Sequence, residues 1–67
     1  MELNLVLERL RQLKAADLNA LAIYSDLQTQ VEDKEILVLL SRLVKDEARH
    51  LAMEKEIFSL LRHGAKV

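Results

Sequence analysis

The chain has 67 residues, a formal net charge of -1, one glycine, and neither proline nor cysteine. Without cysteine there are no disulfide staples or thiolate metal sites. Interspersed acids and bases near neutrality argue against a nucleic-acid partner, and no apolar run approaches a membrane span, so a cytoplasmic protein is expected.

Leu, Ala, Glu, Lys and Arg dominate, 51% of the chain is hydrophobic and only 3% is aromatic. This composition belongs to long helices in bundles or coiled coils. So short a chain is marginal alone, so a partner chain, a bound metal, or both must complete its core.

The spacing predicts a first helix over about residues 3–30. Its inward stripe reads Leu3, Val6, Leu10, Leu13, Asp17, Ala20, Tyr24, Leu27 and Val31. The steps alternate three and four, which is a heptad seam suited to shallow-angle packing. One member, Asp17, is charged. Glu8, Arg9, Arg11, Gln12, Lys14, Asn19 and Asp26 form the solvated face.

The most polar stretch, residues 30–35, breaks the pattern. Asp33 suits the N-cap of a second helix, and Glu35 suits its first turn, where the helix dipole favours an acid. So short a connection makes the pair an antiparallel hairpin. The second helix is predicted over about residues 34–62. Arg62 and His63 suit its negative end, and Gly64 suits its stop.

On this helix the steps of four and three give Ile36, Leu40, Leu43, Glu47, His50, Glu54, Ile57 and Leu61. The stripe is apolar at both ends and ionisable in the middle, which is costly to bury unless something pairs the ionisable groups. A second set of apolar residues flanks it: Leu37, Val38, Leu39, Val44, Leu51, Met53, Phe58 and Leu60. A hairpin cannot cover both faces, so a homodimer or a larger assembly is expected.

Folding the hairpin brings the polar defects together. Asp17 lies fourteen residues before Val31 and Glu47 eleven after Ile36. At ~1.5 Å per residue these are ~21 and ~17 Å from the turn, so Asp17, Glu47 and His50 reach a common level. Glu47 and His50, three apart, project from one face. Two hairpins packed as a four-helix bundle would present four carboxylates and two imidazoles around one centre. That is the ligand set of di-iron and di-manganese carboxylate bundles. Metal charge would also keep the buried acids ionised.

The bland alternative is a buried polar layer that fixes register or oligomer state. Six ionisable groups per dimer is a heavy cost for such a device. Tyr24 reads either as a core aromatic or as a donor or electron relay beside the metals. Glu54 reads either as a ligand or acceptor behind the histidine, or as a charge at a solvent mouth. Met53 reads as packing.

Asp17, Tyr24 seven residues later, a short turn, and Glu47-x-x-His50 together resemble the ferritin-like superfamily in its rubrerythrin-type branch. The pattern is most similar to the encapsulated ferritins, which are two-helix proteins. The resemblance covers about residues 13–62. It implies oxidation of Fe(II) to Fe(III) by oxygen or peroxide at a di-iron site between two subunits, for iron storage or oxidant protection. It further implies Asp17, Glu47 and His50 as ligands and catalytic residues, with Tyr24 behind them. Iron is the implied metal, two ions per dimer interface, with manganese and zinc as alternatives. Ring-like assembly and an encapsulin shell as partner and compartment also follow from the resemblance alone.

The chain departs from that family in three places. Asp17 stands where Glu is usual, Ala16 and Asn19 stand where further acids are usual, and there is no cysteine for a rubrerythrin-type relay iron. A ferroxidase is nonetheless the first expectation, on the convergence of the ligands and the resemblance. A non-catalytic helical oligomerisation module, or a ferritin-like protein that binds metal without turnover, is the alternative.

Overall fold

The computed structural model describes residues 2–67. Two helices, α1 (Leu3–Gln30) and α2 (Lys34–Arg62), pack against each other, and there is no strand among the described residues. The longest dimension is 47 Å and the other two are 15 and 14 Å. A helix of 28 or 29 residues is itself ~42–44 Å long, so the two lie side by side as an antiparallel hairpin.

The helix ends follow from local chemistry. At the start of α2 the Asp33 side chain accepts from the Ile36 N–H at 2.9 Å, with Glu35 in the first turn. Side-chain acceptance satisfies one of the orphan N–H groups, and the acid meets the positive end of the dipole. At the other end Gly64 takes φ +94°. The Ala65 N–H then reaches the Leu60 carbonyl at 3.0 Å, and the Gly64 N–H reaches that of Leu61 at 3.2 Å. This pair of bonds is the Schellman arrangement, which needs a left-handed residue where Gly64 sits. The His63 ring Nδ1 also contacts the Ser59 carbonyl at 2.7 Å. By contrast, Glu2 caps α1 without a side-chain bond, so that end is held by backbone alone.

The face that α2 turns to α1 differs from the stripe expected. Leu37, Leu40, Val44, Glu47, Leu51, Glu54, Phe58 and Leu61 are the covered positions, while Ile36, Leu43, His50 and Ile57 are exposed. On α1, Leu3, Leu13 and Leu27 are likewise exposed, and Leu7, Leu21 and Gln28 are partly covered instead. The cause is that α2 carries two overlapping heptad stripes, about 100° apart around the axis, and one neighbouring helix covers only one of them. The uncovered stripe runs Ile36, Leu39, Leu43, His50, Met53, Ile57 and Leu60.

Leu40, at 7% exposure, is the one buried hydrophobic residue among those described. The surface area is 5432 Å² for 7.7 kDa. A compact monomer of that mass exposes about 4,300 Å². The surplus is comparable to the ~800 Å² per partner of an ordinary protein interface.

Candidate metal centre

Asp17 sits midway along α1, and Glu47 and His50 sit midway along α2, separated by just under one turn. One donor atom from each lies within 4.8 Å of the others. The three residues singled out by the spacing are thus brought together within a single hairpin. His50 Nδ1 is 3.5 Å from Glu47 Oε1. The two differ in access. The Glu47 side chain is 14% exposed, whereas that of His50 is 51% exposed. His50 was expected within the seam; it lies instead at the seam's edge, on the uncovered stripe, because α1 covers the positions one residue further along.

Glu54 is more enclosed than the sequence suggested. It is 5% exposed and is the one buried charged side chain among the described residues. It occupies the covered stripe two turns after Glu47, where an apolar residue would normally stand. Tyr24 is partly covered, two turns along α1 from Asp17. None of the side-chain hydrogen bonds among the described residues involves Tyr24. Asp46 pairs with Arg49 on the outer face, so that acid is engaged away from the cluster.

The electrostatics show crowded carboxylates. Burial, followed by hydrogen bonding with and charge repulsion from Asp17, raises the pKa of Glu47, while His50 opposes the rise. Burial and then the same Asp17 carboxylate push Glu54 up to about 7, Glu47 adding to the rise and His50 offsetting part of it. Two carboxylate oxygens, Glu47 Oε2 and Glu54 Oε1, are buried without a hydrogen-bond partner. Most buried polar atoms in folded proteins are satisfied, so two orphaned acceptors on one helix face, both influenced by Asp17, call for a missing proton or cation.

The donor set suits a cation. Carboxylate oxygens and an imidazole nitrogen match iron, manganese and zinc. Bonds of ~2.0–2.2 Å would place the donors ~3–4 Å apart, so a group within 4.8 Å needs only side-chain adjustment. The orphaned oxygens are acceptors, as ligands must be. Residue types, spacing and unsatisfied atoms make this a grouping that could hold a cation. The separate weight of Glu54 was harder to see. Its signal was phase, since it shares the face of Glu47, Leu40 and Leu61.

Comparison of the chain with protein-family models, with curated proteins and with solved structures gives no match.

Proposed function

We propose that this hairpin pairs with a second copy to form a four-helix, ferritin-like bundle that acts as a di-iron ferroxidase. One observation carries the reading: donor atoms of Asp17, Glu47 and His50 converge within 4.8 Å, and orphaned buried carboxylate oxygens of Glu47 and Glu54 accompany them. The uncovered stripe of α2 supports pairing, since it runs past His50 and would bring a second His50 to the same level. Two chains would then contribute Asp17, Glu47 and His50 twice over, a set known from di-iron carboxylate bundles. Iron is the substrate, and manganese or zinc the alternative occupants.

Each residue has a task in this scheme. Asp17 and Glu47 neutralise the cations and hold them side by side. His50 supplies a nitrogen donor from the rim, where ions enter. Two Fe(II) ions held together give up two electrons to one acceptor, oxygen or peroxide. Val44 and Leu51, partly covered about one turn either side of Glu47, shield the Glu47 side of the site from bulk water. Tyr24 stands two turns away on the Asp17 face, as a donor or an electron relay. Among the described residues no helix is long and apolar enough to cross a membrane. A cytoplasmic setting, with an encapsulin shell as partner and compartment, belongs to the same proposal and rests on the resemblance.

The competing reading is a pairing module whose polar layer sets register. It is favoured by the extent of the uncovered stripe and by the exposure of His50. Metal content separates the two. Purified protein should carry about one iron, manganese or zinc per chain, lost in Glu47→Ala and His50→Ala, and it should oxidise Fe(II) in an oxygen-dependent way. Stoichiometric metal without oxidation would leave a metal-binding protein without turnover. Absence of stoichiometric metal, with no metal-dependent rise in melting temperature, would leave the pairing module.

A further inference from the structure

Glu54 has no task in a site made only of Asp17, Glu47 and His50. It is nevertheless the most enclosed charged side chain among the described residues, at 5% exposure, and its Oε1 has no partner. No salt bridge among the described residues involves it. A carboxylate kept for helix packing would stand opposite a lysine, an arginine or a hydroxyl, because an unpartnered buried charge is strongly destabilising. Glu54 lies outside the 4.8 Å grouping of Asp17, Glu47 and His50, yet those three are the groups that act on its carboxyl, two acids against one imidazole. Two turns separate Glu47 from Glu54 on one face, ~10 Å along the axis. Asp17 acts on both of them.

We propose that Glu54 is a further metal ligand, reached through Asp17, and that by raising each chain's carboxylates at the site to three it biases the site toward trivalent over divalent cations. This rests on the metal reading of Asp17, Glu47 and His50. The argument is one of charge. Three carboxylates and a neutral imidazole carry -3. A divalent ion leaves one negative charge uncompensated in a partly dry setting, and a trivalent ion leaves none. Uncompensated like charge in such a setting is what both chemistry and folding avoid. Asp17, with two oxygens, can serve the Glu47–His50 side and the Glu54 side at once. A site of this kind would hold Fe(III) after oxidation more firmly than it holds Fe(II) before.

The test compares Tb(III), followed by its luminescence, with Mn(II), followed by calorimetry. Both are titrated into the metal-free full chain as wild type, Glu54→Gln and Glu54→Asp. The expected result is that Glu54→Gln weakens Tb(III) by at least about tenfold more than it weakens Mn(II), while Glu54→Asp keeps the wild-type preference. Far-UV circular dichroism of the metal-free variants shows whether the hairpin is intact. Equal weakening of both ions overturns the proposed preference for trivalent ions, and no change in either overturns the proposal and leaves Glu54 as a packing residue. If wild type binds neither ion saturably, the underlying metal reading falls first, which is a separate outcome from a wild type that binds both without regard to Glu54.

Discussion

Replacing Glu54 with glutamine should stabilise the metal-free protein at pH 8. The substitution keeps the shape of the side chain and removes a charge that is 5% exposed, with one oxygen unsatisfied. A buried polar group left without a partner costs about 1–3 kcal/mol, and more if charged. For a domain of this size 1 kcal/mol is worth roughly 4–8 °C, so melting should rise by about 4 °C or more. The effect must depend on pH. Glu54 is pushed from 4.5 up to about 7 in the folded state. Between those values the folded chain holds a proton that the unfolded chain has released, so wild-type stability falls as pH rises. The favourable contribution is complete below about 4.5 and gone above about 7. Wild type and Glu54→Gln should therefore melt together near pH 4 and diverge toward pH 8. The assay is thermal unfolding by circular dichroism in chelator at fixed protein concentration. Saturating Tb(III) should narrow the gap, because a tenfold or greater advantage in Kd gives wild type at least about 1.4 kcal/mol more by mass action, whereas Mn(II) should narrow it far less. A variant that melts lower than wild type at pH 8 without metal, or the same difference at pH 4 and pH 8, would refute the reasoning.

Leu40→Ala should lower stability by about 2–5 kcal/mol, since Leu40 is the one buried apolar side chain among the described residues; chemical denaturation measures it. Asp33→Ala should cost about 0.5–2 kcal/mol by removing the cap on the Ile36 N–H, read by the same assay. Ile57→Lys places a charge on the uncovered stripe and should lower the sedimentation mass at a given concentration, while leaving the covered face untouched. Glu47→Ala should abolish the metal-dependent rise in melting temperature; a rise that survived would place the ion elsewhere.

The sequence was legible where a single physical signal decided. Helix boundaries at 3–30 and 34–62 came through because Asp33 caps, Gly64 stops, and nothing between them interrupts the periodicity. The convergence of Asp17, Glu47 and His50 was legible because their distances from the turn nearly match, and helix rise is fixed. The choice of covered face was not legible. Ile36, Leu43 and Ile57 are as apolar as Leu37, Val44 and Phe58, so composition could not say which set α1 would take. His50 moved to the edge for that reason alone. Glu54 belongs to both the expected and the covered stripe, yet its burial depends on α1 lying over it, which periodicity on α2 does not reveal.

The scarcity of buried residues has a kinetic corollary. Protection of backbone amides against solvent deuterium requires cooperative opening to be rare, and a lone hairpin with a single enclosed leucine gives it little means to be rare. In dilute solution, exchange should be rapid along both helices. A set of slowly exchanging amides centred on residues 40–57 would therefore report on copies holding one another shut.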